Sequence, residues 1–400
     1  PVPTPTPTPT PTPAGWSRQT SGTTEDLSAV AFSDATHGWA VGSSGLIVAT
    51  TNGGATWSKQ ITRSSAGLPG VAAGDAAHGW AVGNSGLILG ATNGGSAPRA
   101  QGSASSAELL GVAAGDATHG WAVGEGGAIL ATGDGGATWD LQTSGTAKGL
   151  EGVTFENVSG DSRLPLFQGW AVGDGGTIVV TTDGGATWNA QSSGTTERLT
   201  AVAFSDATHG WTVGEGGIIL ATKNGGSTWG SQSSGIGAAL LAVAFSDAAH
   251  GWVVGIDGVI LVTTNGGASW GLQSSGSSDY LTGVTFGDAA HGWVVGIDGV
   301  ILVTANGGFP PAPAAAPRIT KREPASAKRG ALVSITGTDF GVAPGTSSVK
   351  FGSKTCTTYL SWSNGQITCK VPKTAKYGVV KVTVTTAAGT SNAKRFTVKR

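Results

Sequence analysis

The chain has 400 residues, with 23 Lys and Arg against 24 Asp and Glu, 68 Gly, 14 Trp, two Cys and no Met. No run of 18 apolar residues occurs, which excludes a helical membrane span. The glycines recur at fixed spacing, so they mark turns rather than a disordered low-complexity chain, and the net charge of −1 says little until it is divided along the sequence.

Residues 1–14, PVPTPTPTPTPTPA, form a Pro-Thr tract. Proline fixes φ and favours extended polyproline II, so the tract reads as a semi-rigid spacer. Thr-Pro tracts are also frequent O-glycosylation stalks, which makes Thr4, Thr6, Thr8, Thr10 and Thr12 candidate acceptors. With no initiator Met, the expected form is a mature exported chain after removal of a signal peptide.

Residues 15–308 are a repeat. Its clearest copy is Leu27 to Gln60, LSAVAFSDATHGWAVGSSGLIVATTNGGATWSKQ. The Gly-Trp tryptophans are Trp39, Trp80, Trp121, Trp170, Trp211, Trp252 and Trp293, at steps of 41, 41, 49, 41, 41 and 41 residues. A period of this length marks a repeat architecture. Each unit predicts four short strands, in the first copy Leu27–Phe32, His37–Val41, Leu46–Thr50 and Thr56–Gln60, with turn residues at every break. No segment sustains a 3.6-residue period, so helices should be nearly absent.

The strands are apolar on both faces, with Val30 and Phe32 expected on one side and Leu27, Ala29 and Ala31 on the other. Sheets covered on both faces suit blades stacked around an axis. Seven units predict a seven-bladed β-propeller, each Gly-Trp indole wedged between neighbouring blades. Residues 15–22, GWSRQTSG, match a fourth strand but precede the first blade, while Asn306-Gly307-Gly308 runs into Phe309-Pro310-Pro311 without one. The strand-four glutamine recurs at Gln19, Gln60, Gln101, Gln142, Gln191, Gln232 and Gln273, so the N-terminal fragment, with Trp16 and Gln19, is expected to complete the last blade. Left empty, that blade would expose an unpaired strand edge.

The turn Asn52-Gly53-Gly54-Ala55-Thr56-Trp57 recurs at Asp134–Trp139, Asp183–Trp188, Asn224–Trp229 and Asn265–Trp270. It resembles the Asp-box of sialidase-type and sortilin-type propellers. The whole repeat, GWAVGxxGxIxxTxxGGxTW, resembles the photosystem II assembly and stability factor family over residues 15–308. That family is thought to dock partners through an arginine-rich patch. Residues 1–317 here hold only Arg18, Arg63, Arg99, Arg163 and Arg198.

Two units are irregular. The second has Pro98 in the tryptophan position, tolerable on an outer edge strand. The fourth carries an insertion of eight residues within Glu156–Gln168, including the N-glycosylation pattern Asn157-Val158-Ser159. Residues 309–317, FPPAPAAAP, read as a Pro/Ala linker. Residues 318–400 change to Val/Thr-rich strands. The runs Val333–Gly341, Val349–Gly352, Ser361–Ser363, Ile367–Pro372 and Gly378–Val384 resemble the IPT/TIG family, which implies an immunoglobulin-like β-sandwich acting as spacer or binding unit with no shared catalytic residue. The chain as a whole is therefore expected to be all-β. Cys356 and Cys369 flank Trp362-Ser363-Asn364-Gly365 and are expected to face each other as a disulfide, with two free thiols as the alternative.

Six histidines, His37, His78, His119, His209, His250 and His291, precede Gly-Trp, and Gln168 takes the seventh place. Equivalent positions a whole blade apart cannot share one ion, so they read as turn-binding residues, and no metal or cofactor is expected. A sialidase-type site needs several arginines, a tyrosine nucleophile and acid/base carboxylates. The propeller has one tyrosine, Tyr280, which argues against an enzyme.

Charge divides sharply. Residues 318–400 hold fifteen Lys and Arg against Glu323 and Asp339, a balance of +13 that leaves −14 for residues 1–317. Acid lies in the turns between strands two and three (Glu125, Asp174, Glu215, Asp257, Asp298) and in the linkers entering the blades (Glu25, Asp26, Glu108, Glu197, Asp279), and both sets should open on one face. Lys321, Arg322, Lys328 and Arg329 are the basic candidates. An acidic disc joined to a basic domain can attract another copy of itself. The expectation is a secreted or cell-surface interaction protein, self-assembling as an oligomer or filament; the alternatives are a monomeric adhesion or glycan-binding module, with cell-wall or surface glycans as ligands, and a sialidase-like hydrolase. Nucleic acid is not expected, because the basic domain lacks interleaved aromatics for stacking.

Overall fold

In every repeat the Gly-Trp run is buried from end to end, as in Gly38–Gly42, because the strand lies between two others and between two blades. The computed structural model describes residues 15–94, 97–159, 165–309, 316–341 and 347–400. Two compact units divide the chain at Phe309 and Pro310.

The first unit contains seven four-stranded antiparallel sheets, each in sequence order, with the first strand of one blade against the first strands of its neighbours. It is a seven-bladed propeller. Helix is confined to single 3-10 turns between strands two and three, such as Ser43–Gly45. In blade one the strands are Leu27–Phe32, Gly38–Gly42, Ile47–Thr50 and Ser58–Lys59. One expectation about faces fails. Leu27 packs with Val30 and Trp293 of blade seven, not with Ala29, which joins the cluster towards blade two. The pairing slips between Leu27 and Ala29, and that one-residue bulge turns Leu27 to the other face.

Neighbouring blades are joined by aromatic sandwiches. Phe204 of blade five stacks on Trp170 of blade four at 3.5 Å between ring centres, and Trp229 meets the same phenyl edge-on at 6.0 Å. The Trp229 indole N–H donates to Gln191 Oε1 on the outer strand of blade four, and Trp170 donates to the Gly225 carbonyl. The partner glutamine requires Gly226: a Cβ there would meet Gln191 Oε1 at 2.1 Å, and φ is +89°. The same set recurs between other blades, as Phe245 with Trp211 and Trp270, or Phe155 with Trp121 and Trp188.

Ser17–Gln19 supplies the outer strand of blade seven, pairing antiparallel with Ile301–Ala305 through Ser17↔Val303 and Gln19↔Ile301. Trp16 fills the box-tryptophan role: its indole donates to Gln273 Oε1 at 2.8 Å and meets Phe286 edge-on at 5.9 Å. Gln19 accepts from Trp57 at 3.2 Å, so the ring closes with the clasp used elsewhere. Phe309, expected in the linker, packs 6.4 Å from Trp252 and belongs with the propeller. Residues 310–315 lie outside the described residues.

Two seams depart from the pattern: blade three has Ala114 in the phenylalanine position, so Trp80 meets only Trp139, edge-on at 5.9 Å, and the seam between blades one and two departs further. Blade two has Ala73 in the phenylalanine position and Pro98 in the tryptophan position. Gln60 donates to its own neighbour, the Ser58 carbonyl, at 2.8 Å. A small apolar cavity of about 20 Å³ remains there, lined by Trp39, Ile47, Val71, Trp80, Leu89 and Pro98 among others.

The second unit is a β-sandwich. One sheet holds Arg318–Glu323, Leu332–Thr338, Gln366–Lys370 and Tyr359–Trp362. The other holds Ser326–Lys328, Lys394–Lys399, Gly378–Thr386, Ser348–Phe351 and Lys354–Thr355, with Gly389–Thr390 on Gly378–Thr386. Val333, Ile335, Phe351, Val382, Val384 and Phe396 form the core between them.

Trp16 is 8% exposed, so Trp16→Ala removes a buried indole and its bond to Gln273. The expected loss is about 3–5 kcal/mol of stability, read by chemical denaturation. An unchanged midpoint would mean that the ring does not depend on its N-terminal strand.

Candidate functional site

Five of the six 3-10 turns between strands two and three are tied back to the residue that precedes strand one of the same blade. Ser43 N–H donates to the Asp26 carbonyl at 3.0 Å, Glu125 to Glu108 at 2.9 Å, Asp174 to Gly149 at 2.9 Å and Glu215 to Arg198 at 3.0 Å. The close approach demands glycine before the turn: a Cβ on Gly124 would sit 2.0 Å from the Glu108 carbonyl oxygen. The turns and the blade-entering linkers therefore share one face, at the ends of the strands nearest the axis.

Acid converges on that face over blades three to five. Arg198 donates to Glu151 Oε1 through Nε at 2.9 Å and through an Nη at 2.5 Å. Its guanidinium also lies 3.5 Å from Asp174 and 3.9 Å from Glu215. The carboxylates of Asp174 and Glu125 crowd the space above Gly149, where a Cβ would meet them at 2.9 and 3.2 Å. Burial pushes the Glu151 carboxyl up; Arg198 opposes this, and Asp174 and Glu125 add to it. Three carboxylates thus approach one guanidinium, Glu125 adds a fourth beside Gly149, and Lys148 Nζ lies by Gly175, so four acids face two cations and excess negative charge remains.

Asp257 and Asp298 do not join this cluster. They occupy the second position of their turns, at φ of +58° and +55°, whereas Glu125, Asp174 and Glu215 occupy the first. Asp298 N–H instead donates to Asp26 Oδ1 at 3.0 Å. Sequence reasoning missed Glu151 and Arg198, which lie on or just before a first strand and become site residues only once the blades are assembled. Glu25, Glu197 and Asp279 lie in the linkers entering their blades.

The repeated Asp and His residues staple turns. Asp34 Oδ1 accepts from Thr36 and His37 N–H, and Oδ2 lies 2.9 Å from His37 Nδ1. The Thr36 hydroxyl and these N–H donors hold the Asp34 carboxyl well below the usual carboxylate range. In the Asp-box, Asp134 accepts from Thr138 N–H and hydroxyl and from Thr132, which lowers it to about 2. No group of three or more His, Cys, Asp or Glu placed to hold a metal occurs among the described residues.

The insertion lengthens a hairpin, Leu150–Asn157 against Phe167–Gly173. Phe167 packs 5.0 Å from Trp121, and exposed Asn157 accepts from the Ser159 hydroxyl at 2.8 Å. Residues 160–164 lie outside the described residues, as do Thr4, Thr6, Thr8, Thr10 and Thr12. Within this hairpin Glu156 is half-buried; burial and then the charge of Asp206 push its carboxyl up to about 7.

With this geometry in place, residues 8–99, 101–190, 165–234 and 231–310 match the photosynthesis system II assembly factor YCF48 family, more than half of the chain. The chain belongs to that family. Residues 317–398 match the IPT/TIG domain. Among solved structures, YCF48 bound to a D1 peptide is similar with a TM-score of 0.61 and 21% identity, over 73% of this chain and 95% of that one. YCF48 from Cyanidioschyzon merolae has a TM-score of 0.60 and 24% identity, over 73% and 99%. The GH74 xyloglucanase from Xanthomonas campestris reaches 0.60 at 14% identity, over 82% of this chain and 60% of that one. At such identities these structures share the fold. No curated protein sequence matches the chain.

In the TIG domain the basic candidates separate. Lys321 pairs with Glu323 at 2.7 Å, Arg322 donates to the Arg395 carbonyl, and Arg329 donates to the Ala375 carbonyl at 2.8 Å while covering the Tyr377 ring. Lys328 alone of the four stands on the open face of the larger sheet, exposed and opposite Lys399. The expected disulfide is not formed: Cys356 and Cys369 are buried free thiols. They are adjacent, and the Cys369 thiol hydrogen-bonds to Cys356, lowering the latter to about 7. Cys356 follows the edge of one sheet and Cys369 lies in the other, so a bond would cross the sandwich.

We expect mild oxidation to join Cys356 to Cys369 with little rearrangement; intact mass after alkylation, with and without reductant, reads this, and two alkylated cysteines after oxidation exclude it. Glu156 supplies a pH test. Its raised carboxyl costs nothing below the ordinary value of 4.5, where folded and unfolded chains are both protonated. Stability falls as pH rises from there to about 7 and then stays lower. Glu156→Gln should therefore stabilise the protein by about 1–2 kcal/mol at pH 8 and leave it unchanged at pH 4, as measured by denaturant unfolding.

Proposed function

We propose that this protein is a non-enzymatic docking protein, secreted or held at the cell surface, whose propeller takes a basic polypeptide on its acidic face. The observation that carries the reading is the Glu125, Glu151, Asp174 and Glu215 cluster, neutralised only in part by Arg198 and Lys148. A related propeller, YCF48, is described bound to a peptide, which supports polypeptide as the ligand class. The Pro-Thr tract and the Pro/Ala linker suit an extended protein outside the cytoplasm.

Hydrolysis has the weaker support. The likeness to a GH74 xyloglucanase is one of fold at 14% identity. Glu151 would be the natural proton donor, since burial raises it, yet two Arg198 N–H groups point at its Oε1 and favour the carboxylate. Tyr280 is half exposed at the start of blade seven, and the described residues of the propeller hold only four arginines, Arg18, Arg63, Arg99 and Arg198.

Fluorescence anisotropy with a labelled oligolysine peptide tests the reading. Binding should weaken at least tenfold in Glu125→Lys/Glu215→Lys and fall steeply with added salt. Equal binding by the variant, or turnover of xyloglucan or aryl glycosides by the native protein, would overturn it.

A further inference from the structure

The larger TIG sheet buries one face and bares the other. Val382, Val384, Phe396 and Val398 point into the core, so Lys381, Thr383, Arg395, Thr397 and Lys399 stand on the outer face. On the neighbouring strands Lys350 and Lys328 are exposed beside buried Val349 and Ala327. The register brings these cations together. Lys381 lies directly opposite Arg395, and Lys328 directly opposite Lys399. Lys350 pairs with Thr383, one diagonal step from Lys381. No carboxylate forms an ion pair with any of the five among the described residues; Glu323, one of only two acids in the domain, is taken by Lys321.

Like charges directly opposed on a sheet destabilise it. Five cations on one open face, separated by short Thr and Ser side chains, make a flat surface whose complement is an acidic surface of similar extent. Such a surface is present on the same molecule: residues 1–317 carry −14, and the propeller face at Glu125, Asp174 and Glu215 is under-neutralised. We propose that the Lys328, Lys350, Lys381, Arg395 and Lys399 face of the TIG domain docks on the acidic propeller face of a second copy. This rests on the acidic face being a docking site, and it names the partner. The pairing is head-to-tail: each copy offers one acidic and one basic surface, so association continues into rings or filaments instead of stopping at a symmetric dimer.

Sedimentation velocity on the full chain tests it, across protein concentration at about 50 mM and 500 mM salt, a range over which surface attraction is screened. Native protein should associate at low salt and dissociate at high salt. Lys381→Glu/Arg395→Glu should weaken association at least tenfold, and so should Glu125→Lys/Glu215→Lys. Mixing the two variants creates a reversed pair of faces and should restore association between them. Both variants change exposed side chains, and unchanged thermal unfolding verifies their folds. A native protein that stays monomeric at low salt overturns the proposal, as does association that survives Lys381→Glu/Arg395→Glu. If the native chain is monomeric yet binds oligolysine, the acidic docking site stands and the second copy falls. If it binds neither, both fall. Capture of polyglutamate by a monomeric chain, lost in Lys381→Glu/Arg395→Glu, would reassign the basic face to a soluble polyanion and likewise overturn the second-copy partner.

Discussion

The structure depends on one interaction repeated around a ring: an outer-strand glutamine of one blade gripping the Asp-box of the next. Gln232 shows both halves, accepting the Trp270 indole N–H at 3.1 Å and donating to the Gly266 carbonyl at 2.9 Å. Each blade alone is a small sheet with two apolar faces, and such a sheet has no stable isolated state. The clasp sets the distance between blades at their outer edge, while first strands set it near the axis. Thr282 of blade seven, for example, donates to the Leu27 carbonyl of blade one at 2.7 Å. The box itself is held by charge-free and charge-assisted hydrogen bonds alike, since Asn224 and Asp183 make equivalent contacts to the threonine four residues on. The carboxylate is thus dispensable to the turn, and the Asp-box here has a structural role.

Most of this was legible because the chain states it seven times. The period, the four strands, the turn residues and the closing fragment all follow from comparing copies, and the same comparison marks Pro98 and the insertion as exceptions. What could not be read depends on distances between copies. The bulge after Leu27 shifts pairing by one residue without any glycine or proline to announce it. The acidic turns look alike in sequence, yet one position of offset separates Asp257 and Asp298 from Glu125, Asp174 and Glu215. Arg198 and Glu151 are 47 residues apart and meet only when blades four and five pack. In the TIG domain only Lys328 of the conspicuous pairs Lys321-Arg322 and Lys328-Arg329 joins the basic face, whose other members are three lysines and one arginine brought together by strand register.

The two halves of the chain use charge in opposite ways. In the propeller, most aspartates of the turns are consumed by local N–H donors, so the acid that remains outward is that of the linker ends and 3-10 turns. In the TIG domain the cations lie on a regular sheet, where pleat and register decide their neighbours. A net charge of −1 conceals this because the two surfaces cancel in the sum while belonging to different domains. That separation gives each copy two unlike surfaces, which is the requirement for head-to-tail contact.

The distribution of clasps around the ring follows the same economy. The outer strand of blade seven, Ser17–Gln19, runs straight on into Leu27–Phe32 of blade one, so the chain joins that seam like every other, and it carries the full set: Phe32 on Trp293 at 3.6 Å, Trp57 on Gln19, and Trp293 on the Gly53 carbonyl. Blades one and two are joined directly by the chain, and that seam alone lacks both the phenylalanine and the box tryptophan. The one join that no chain spans lies inside blade seven, where Ser17–Gln19 pairs with Ile301–Ala305 and Trp16 anchors it to Gln273 and Phe286. The ring is therefore loosest between blades one and two, where both the stacking phenyl and the box indole are missing and a cavity remains. Local opening should begin beside Trp39, whose cavity-lined face has lost the stacking partner that Trp170, Trp211 and Trp252 retain.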